Sequence, residues 1–340
     1  MPTATQRVLI LDTEFADASQ DLAAQFPALE LICGTENLAG KLNVDGVISQ
    51  LEIVDKVLLN KLELPYVILK MGQNYANIDA AEVRSRGLTF AAVQRKGPNC
   101  VAELAITLIM ALSKDLLMSH TSVAEGAYRF RGLRPERSEQ WKMAFHWMRH
   151  TTLHEVRGKR LGIVGMGEIA CETALRARAL GMSVRYYKRS PLPAELEQRF
   201  SASYQPLEVL LQESDYVLLA VPHTEETDKM IGADQLALMK PSAFLVNICR
   251  GGVVDEAALV SALETQSIAG AGLDVFEFEP LPFDSPLCSL HNVILTPHVG
   301  GGSGTNRGLE LGEALTEMVR LLAGERPTID LTIDPKIERG

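Results

Sequence analysis

Short apolar runs separated by amphipathic segments predict an α/β architecture along most of the chain. Between residues 7 and 93 the runs RVLIL, LELIC, DGVIS, YVILK and LTFAAV alternate with helical patterns such as SQDLAAQFPA. From Gly158 the rhythm returns with RLGIVG, MSVRYY, DYVLLAV, AFLVNI, GAGLDV and NVILT. Apolar strands that alternate with helices form parallel sheets buried on both faces. We therefore expect a small parallel sheet first and a doubly wound sheet second.

The segment between the two predicted sheets has a different pattern. From Asn99 to about Met118 we predict one long helix, because apolar residues cover most of its circumference. Such a helix is typically buried between two bodies. Residues 119–158 mix aromatic and basic side chains, and we interpret them as a loop and an interface helix. A last helix is predicted from about Thr305 to Leu322.

Length and composition favour two compact domains. The 340 residues exceed the size at which a single core usually stops growing, and 46% of them are hydrophobic. A net charge of -10, without a run of five Lys or Arg, argues against nucleic acid or a membrane surface as a partner. The first residues are typical of a strand rather than a signal peptide. Five scattered cysteines without a CxxC pair fit a reducing cytoplasm.

A glycine-rich turn at the start of the second sheet predicts a dinucleotide site. Gly165 and Gly167 lie between the strand RLGIV and a helix that begins with Glu168 and Ile169. Gly165 permits the tight turn, Gly167 lets the backbone approach the pyrophosphate, and Ala170 replaces the third glycine. The helix N-terminus attracts the phosphates. We expect the carboxylate of Glu168 to point away or to accept from backbone amides.

The end of the next strand indicates which nicotinamide cofactor is bound. A site for NAD usually carries an acid there that accepts hydrogen bonds from the ribose hydroxyls. This sequence instead has Lys188, Arg189 and Ser190, with no acid between Glu172 and Glu195. Two cations and a hydroxyl suit a 2′-phosphate better than a diol. We predict NADP(H) as the preferred cofactor and NAD(H) as a weaker one; a solvated basic loop is the alternative.

Three residues at predicted strand ends meet the demands of reducing a 2-keto acid. Arg250 follows the run AFLVNI, and its guanidinium can hold a carboxylate and polarise a carbonyl. His298 follows NVILT and can protonate the carbonyl oxygen. Glu279 would bond the imidazole and fix its orientation. Taken singly, Arg250 is also typical of a surface ion pair, Glu279 of a loop charge and His298 of a turn residue.

The run from Leu161 to Gly302 resembles the D-isomer-specific 2-hydroxyacid dehydrogenase family. The similarity lies in NICRGGVVDEAALVSALE, GAGLDVFEFEPLP and LTPHVGG, which occur in the family's order. It implies that Arg250 binds the substrate, that Glu279 is the acid of the Glu-Pro pair and that His298 is the acid/base. The pair Arg189 and Ser190 after the second strand resembles that of the NADP-preferring glyoxylate and hydroxypyruvate reductases of the family.

The resemblance also implies the architecture. We expect an α/β protein of two domains, a flavodoxin-like substrate domain and a Rossmann doubly wound dinucleotide-binding domain. The substrate domain would comprise residues 1–103 and 300–340, and the dinucleotide-binding domain residues 104–299.

Further contacts follow from the resemblance. Asp274 matches the aspartate that bonds the nicotinamide carboxamide. In the first domain the backbone amides of Met71, Gly72 and Gln73 are expected to bind the substrate carboxylate, although Ala76 stands where the family has an aspartate. The strand-end residues expected to line the cofactor are Val221, Pro222, Ile248, Cys249, Arg250, His298 and Gly300.

Three weaker signals have two interpretations each. Arg95 and Lys96 either face the cleft and favour a second anionic group, or belong to a solvated turn. Cys249 either is a nucleophile or, as we expect, a small residue that lines the nicotinamide pocket. The spacing of His146, His150 and His154 would place three imidazoles on one helix face, but two threonines between them form helix poorly, and we expect no metal.

An aromatic stripe suggests how the chain associates. Trp141, Phe145, Trp147 and Met148 lie within residues 100–150, and we interpret them as the interface of a homodimer; an aromatic box for a ligand is the alternative.

The function we expect is the reduction of a small 2-keto acid, with glyoxylate and hydroxypyruvate as the first substrates to try. Two alternatives stay open. One is a dinucleotide-sensing binding protein on the same fold, in which turnover is incidental. The other is a different NAD-dependent dehydrogenase class, such as an amino-acid dehydrogenase.

Overall fold

The chain forms two compact units. The computed structural model describes residues 5–34, 41–63, 65–141, 147–148, 150, 153–301 and 307–332. The first unit comprises Met1–Asn99, Leu192–Arg199 and Gly301–Gly340, and the second Cys100–Pro191 and Phe200–Gly300. The domain assignment 1–103 with 300–340, and 104–299, stays a prediction.

The elements follow one another in α/β alternation. In chain order the strands of the described residues are β1 (Gln6–Ile10), β2 (Leu29–Cys33), β3 (Leu42–Asn43), β4 (Gly46–Ser49), β5 (Leu62–Glu63), β6 (Val67–Met71), β7 (Thr89–Val93), β8 (Arg160–Val164), β9 (Ser183–Tyr187), β10 (Ala202–Tyr204), β11 (Tyr216–Leu219), β12 (Phe244–Asn247), β13 (Gly270–Leu273), β14 (Val293–Leu295) and β15 (Ile329–Asp330). The helices are α1 (Ala16–Ala23), α2 (Lys56–Asn60), α3 (Ala80–Ser85), α4 (Lys96–Ser113), α5 (Leu116–Ala124), α6 (Glu168–Ala179), α7 (Ala194–Phe200), α8 (Leu207–Glu213), α9 (Ala233–Leu238), α10 (Glu256–Glu264) and α11 (Arg307–Leu322).

The first unit is built on a six-stranded sheet in the order β2-β1-β4-β6-β7-β15. Its strands pair in parallel, except that β15 lies antiparallel to β7 at one edge. Counted without the separate two-stranded β3-β5 pair, the five parallel strands have the order 2-1-3-4-5 of a flavodoxin-like fold. Helix α11 covers this sheet through Leu311, Leu315 and Met318, which are fully buried. The predicted flavodoxin-like sheet is confirmed.

Residues 192–199 group with the first unit, although the sequence places them after the second strand of the dinucleotide fold. Within that unit Glu195 forms an ion pair with Arg84 at 2.7 Å. Arg199 donates to the side-chain oxygen of Gln73, also at 2.7 Å. Polar contacts of these two side chains therefore tie the segment to helix α3 and to the loop after β6.

The second unit contains a seven-stranded parallel sheet in the order β10-β9-β8-β11-β12-β13-β14. Numbered within the unit, this is the order 3-2-1-4-5-6-7 of a Rossmann fold, which confirms the predicted doubly wound sheet. The sequence analysis missed β10. Ala202 is buried in that strand, whereas Ser203 and Tyr204 are exposed, so the strand has no apolar run to reveal it.

The long helix predicted from Asn99 to Met118 is wrong as a single element. Helix α4 ends at Ser113, and α5 begins at Leu116. Between them Asp115 has a φ of 45° and a ψ of 48°, a left-handed conformation that aspartate tolerates better than most residues. His154 N–H donates to the carbonyl of Ser113 at 2.8 Å, so another segment satisfies one helix-end acceptor. None of the described helices meets the length and hydropathy needed to cross a bilayer.

The second sheet brings its strand ends to one edge. Gly165 follows β8, Arg250 lies three residues after β12, Asp274 follows β13 and His298 lies three residues after β14. Because all seven strands run in parallel, these residues share the carboxyl edge of the sheet, where ligands of open α/β sheets bind.

Candidate active site

The glycine turn after β8 has the shape that a dinucleotide requires. Gly165 has a φ of +98°, and a Cβ there would lie 2.3 Å from the carbonyl oxygen of Ala220. Only glycine fits such a position. At Gly167 a Cβ would meet no described atom within 4 Å, so open space lies above the first turn of α6, which begins with Glu168 and Ile169. The residues present therefore fit a pyrophosphate held at this helix N-terminus.

The loop after β9 presents cations to solvent. Lys188 is half-buried, and Arg189 and Ser190 are exposed. The guanidinium of Arg189 lies 3.5 Å from a carboxylate oxygen of Glu226. Because β9 lies next to β8, this loop carries Lys188 and Arg189 close to the glycine turn, and Arg189 has Glu226 as an acidic neighbour.

A buried asparagine holds the turn that carries Arg250. The side chain of Asn247 is 1% exposed; its Nδ2 donates to the carbonyl of Arg250 at 3.1 Å and its Oδ1 accepts from the N–H of Cys249 at 3.1 Å. A Cβ on Gly251 would lie 1.9 Å from the carbonyl carbon of Phe276. Glycine at this position therefore lets the turn of Arg250 touch the segment that leads to Glu279. Arg250 itself is exposed, and its Nη1 donates to the carbonyl of Cys249 at 2.6 Å.

Cys249 does not have the environment of a nucleophile. Burial raises the pKa of its thiol, and the lowering effect of neighbouring N–H groups and of Arg250 does not offset this. The thiol therefore stays protonated at neutral pH, whereas a reactive cysteine needs its thiolate.

His298 and Glu279 form a close pair. The imidazole Nδ1 lies 2.6 Å from Oε2 of Glu279, and Oε1 of the same carboxylate accepts from the N–H of Phe276 at 3.2 Å. Burial raises the pKa of Glu279, but the hydrogen bonds from His298 and Phe276 and the charges of His298 and Arg250 lower it below its ordinary value. The carboxylate is therefore ionised at neutral pH and fixes the orientation of the ring.

The buried carboxylate of Asp274 holds the turn that carries the imidazole. Asp274 is 1% exposed, and its Oδ1 accepts from Thr296 Oγ1 at 2.6 Å and from Val299 N–H at 2.9 Å. Its Oδ2 accepts from Gly300 N–H at 2.8 Å, and its backbone carbonyl accepts from His298 N–H at 2.9 Å. His298 has a φ of 52°, which a residue other than glycine adopts at a cost. Asp274 therefore stabilises an unfavourable backbone conformation at His298.

A cavity of about 590 Å³ lies beside the pair and is lined by both His298 and Glu279. Apolar side chains, among them Phe276, Leu281 and Leu295, form most of the remaining wall. Arg250 does not line this cavity, so the structure brings imidazole and carboxylate together at it but not the guanidinium. The charge of Arg250 nevertheless acts on the carboxyl of Glu279, since it contributes to lowering its pKa.

Comparison with known proteins identifies the family. Residues 106–300 match the family described as "D-isomer specific 2-hydroxyacid dehydrogenase, NAD binding domain". A glyoxylate reductase of Thermococcus gammatolerans is 39% identical over 262 residues, which cover 77% of this chain and 75% of the relative. The chain belongs to the D-isomer-specific 2-hydroxyacid dehydrogenases. As a member, it is an oxidoreductase of 2-hydroxy acids with a dinucleotide-binding domain over the matched residues.

Two further comparisons cover more of the chain. Glyoxylate/hydroxypyruvate reductase B of Escherichia fergusonii is 36% identical over 285 residues, 83% of this chain and 82% of the relative. The crystal structure of a glyoxylate reductase from Paecilomyes thermophila is 26% identical, with a TM-score of 0.54, and the similarity covers 99% of this chain and 100% of that one. Family membership therefore extends to both units of this dehydrogenase.

The loop after β6, which was expected to bind the substrate carboxylate through three backbone amides, differs from that expectation. Met71 ends β6, and the N–H of Gly72 donates to the carbonyl of Val93 at 2.7 Å. The pairing of β6 with β7 thus extends one residue beyond the strand. Of the three amides expected to bind substrate in this dehydrogenase, that of Gly72 is already engaged. Gln73 follows it, and its side-chain oxygen accepts from Arg199.

Arg95 and Lys96 both form ion pairs with α11. Arg95 lies 3.0 Å from Glu310, whose side chain is 8% exposed, and Lys96 pairs with Glu313. Their charges are therefore already paired with carboxylates of the same unit. This differs from both interpretations of the sequence, a second anion site and a merely solvated turn.

The two described histidines of the set spaced by four residues, His150 and His154, do not lie on a helix. His150 and His154 lie outside helices and strands, and His146 lies outside the described residues. The ring of His154 packs edge-on against Phe244, with centroids 6.1 Å apart. Within the described ranges no three His, Cys, Asp or Glu side chains are grouped to hold a metal.

The other strand-end residues lie where the family similarity places them in sequence. Val221 and Pro222 follow β11, and Ile248 follows β12. Ile248 is buried, Val221 half-buried and Pro222 exposed. A Cβ on Gly165 would lie 2.9 Å from Val221, so the glycine turn and this strand end are in contact.

Sequence reasoning missed three polar residues of this edge: Asn247, Thr296 and Glu226. Asn247 stands inside the apolar run AFLVNI, and Thr296 two residues before His298. A polar residue at the end of a buried strand was the available signal for both. For Glu226, one acid of the run HTEET, the sequence carries no comparable signal.

Replacing Asp274 by Asn tests the anchoring role. An amide accepts on one atom only, so one of the buried N–H or O–H donors faces an NH₂ group and loses its partner. We expect turnover to fall about ten- to hundredfold, because small misplacements of catalytic groups have effects of this size. Steady-state rates and thermal unfolding report the change. Asp234→Asn, at an exposed aspartate of α9, is the control; wild-type turnover in Asp274→Asn would contradict the role.

Replacing Glu279 by Gln tests the electrostatic part of the pair. The lowered pKa of Glu279 means that its negative charge persists at neutral pH and is lost only on acidification through that pKa. This charge holds the imidazole in one orientation through the bond to Nδ1. In the variant we expect lower turnover at neutral pH, and the acid-side fall in activity that protonation of Glu279 gives the wild type should be absent. The measurement is kcat/KM against pH; an unchanged profile would refute the assignment.

Proposed function

We propose that this dehydrogenase reduces small 2-keto acids with NADP(H), and that glyoxylate and hydroxypyruvate are among its substrates. The observation that carries the proposal is the 2.6 Å pair of His298 and Glu279 beside a cavity of about 590 Å³. The printed names of relatives at 36–39% identity, glyoxylate reductase and glyoxylate/hydroxypyruvate reductase, support the substrate class.

The side chains of the second unit supply separate parts of the chemistry. The nicotinamide, when bound, provides the hydride. Nδ1 of His298 is bonded to Glu279, so we assign Nε2 to the substrate oxygen, which it protonates on reduction and deprotonates on oxidation. The exposed guanidinium of Arg250 binds the substrate carboxylate and polarises the carbonyl. Glu279 and Asp274 act through His298, the first on the ring and the second on the backbone.

The cofactor preference rests on the loop after β9. Lys188, Arg189 and Ser190 offer two cations and a hydroxyl, and this loop carries no acid that would repel a 2′-phosphate. We assign Gly165, Gly167 and the first turn of α6 to the pyrophosphate. Asp274 takes part as well: three donors occupy three of the roughly four acceptor sites of its carboxylate. The fourth would accept a hydrogen bond from the carboxamide of a bound nicotinamide.

A homodimer through residues 100–150 accounts for exposed apolar side chains in the second unit. Leu116, Leu117, Phe130 and Trp141 are 54%, 52%, 90% and 92% exposed. Homodimer interfaces are more apolar than the rest of a protein surface, and such an interface would cover these side chains. Phe145, part of the predicted stripe, lies outside the described residues; Trp147 and Met148 are half-buried.

Sedimentation velocity tests the dimer. We expect twice the chain mass of 37.2 kDa for the wild type and a monomer for the double variant Leu116→Arg, Leu117→Arg, because buried unpaired charges disfavour association. Leu51→Arg, at a leucine of the first unit that is 70% exposed, is the control. A monomeric wild type would contradict the proposal.

We further infer that the protein works in a reducing compartment, the cytoplasm. All five cysteines are free thiols, and Cys171 and Cys249 are buried in the second unit. Proteins of oxidising compartments more often use their cysteines in disulfides.

A panel of 2-keto acids assayed with NADPH and NADH tests the function. We expect oxidation of NADPH with glyoxylate and hydroxypyruvate, a higher kcat/KM for NADPH than for NADH, and no dependence on ammonia. His298→Ala should lower turnover by at least about a hundredfold and leave cofactor binding intact, since it removes the acid/base alone. His120→Ala, at an exposed histidine, is the control. Near-normal turnover of His298→Ala, a requirement for ammonia or equal efficiency with both cofactors would each contradict a part of the proposal.

A further inference from the structure

The arginine proposed to bind the 2′-phosphate already has a carboxylate beside it. Nη1 of Arg189 lies 3.5 Å from Oε2 of Glu226, and the two side chains are 82% and 70% exposed. Glu226 belongs to the loop after β11, 37 residues further along the chain. Two loops of the same sheet edge therefore meet through opposite charges that remain accessible to a ligand.

The turn that carries Glu226 is fixed by its own hydrogen bonds. Thr224 N–H donates to Thr227 Oγ1 at 2.8 Å, and Thr227 Oγ1 donates to the carbonyl of Pro222 at 2.7 Å. Thr224 Oγ1 donates to the carboxylate of Glu226 at 3.1 Å. The carboxylate is thus held on the Arg189 side by a turn that begins at Pro222, a residue assigned to the cofactor edge.

We propose that Glu226 is a specificity-determining residue that weakens the binding of NADPH and so keeps NADH usable. The inference rests on the proposed phosphate site at Lys188, Arg189 and Ser190. A 2′-phosphate carries between one and two negative charges at neutral pH, as other phosphomonoesters do. To bind Arg189 it must share the guanidinium with Glu226 and lie near a like charge. The 2′-hydroxyl of NADH carries no charge, so Glu226 lowers the affinity for NADPH relative to the affinity for NADH.

The expected effect is modest because the pair is exposed. Ion pairs in solvent have small energies, and salt screens them over about 10 Å at 0.1 M. We therefore expect removal of the Glu226 charge to tighten NADPH binding about two- to fivefold at low salt. The change should shrink in 0.5 M salt, and the dissociation constant of NADH should change by less than about twofold.

Calorimetric titration of the intact protein with NADPH and NADH tests the proposal. The variants are Glu226→Gln, Glu225→Gln, Arg189→Gln and the double variant Arg189→Gln, Glu226→Gln. Glu225 is the matched control, since it is exposed in the same turn and its substitution changes the net charge equally. We expect Glu226→Gln to tighten NADPH clearly more than Glu225→Gln does, and this gain to shrink in the Arg189→Gln background, where only the removal of a like charge remains. The ratio of kcat/KM for NADPH to that for NADH should rise in parallel.

The outcomes separate this inference from the function on which it rests. If Arg189→Gln weakens NADPH relative to NADH, the phosphate site stands; equal effects of Glu226→Gln and Glu225→Gln would then overturn the role of Glu226 alone. A gain that is equally large without Arg189 would overturn it too. If Arg189→Gln leaves the NADPH-to-NADH ratio unchanged, the phosphate site is wrong, and the role of Glu226 falls with it.

Discussion

The contact between the Asp274 carboxylate and the turn of His298 is the constraint on which the site depends. A left-handed backbone at a residue other than glycine persists only where its surroundings over-determine it. Here three charge-assisted hydrogen bonds converge on one buried carboxylate, and a fourth bond links the two backbones. The imidazole is thus placed by the neighbouring strand β13 and not by its own segment alone. Once the ring is placed, Glu279 can reach Nδ1 at 2.6 Å.

At this edge of the sheet, neighbouring charges and burial give the side chains of Glu279 and Cys249 different protonation states. Partners lower the pKa of Glu279, whereas burial raises that of Cys249. The result is an ionised carboxylate and an unreactive thiol on loops whose backbones are in contact. Arg250 remains exposed and contributes to lowering the pKa of Glu279 through its charge. Of the three residues that we propose for catalysis, Glu279 and His298 therefore pair with each other, and Arg250 is exposed to a ligand.

Sequence reasoning succeeded where a physical signal is local and failed where it depends on tertiary contact. Apolar runs predicted the five main strands of the first sheet and six of the seven in the second, because buried parallel strands must be continuously apolar. The half-exposed β10 lacks that signal. The break at Asp115 depends partly on an N–H from His154, 39 residues away, so no helix pattern predicts it.

The site shows the same division. The glycine turn and the residue types at positions 250, 279 and 298 follow from chemistry and motif order, both of which are visible in sequence. The anchoring role of Asp274, the engaged amide of Gly72 and the pairing of Arg189 with Glu226 join residues 21 to 37 positions apart. Such pairings are decided by how strand ends meet, and the similarity to the family did not indicate them.

The close approach at Gly251 has a consequence for redesign of this enzyme. A methyl group there would overlap the main chain of Phe276, so the spacing between the arginine-bearing and glutamate-bearing loops is set by backbone against backbone. Gly251 is therefore a position to leave unchanged when this dehydrogenase is redesigned, because any larger residue there would force the two loops apart.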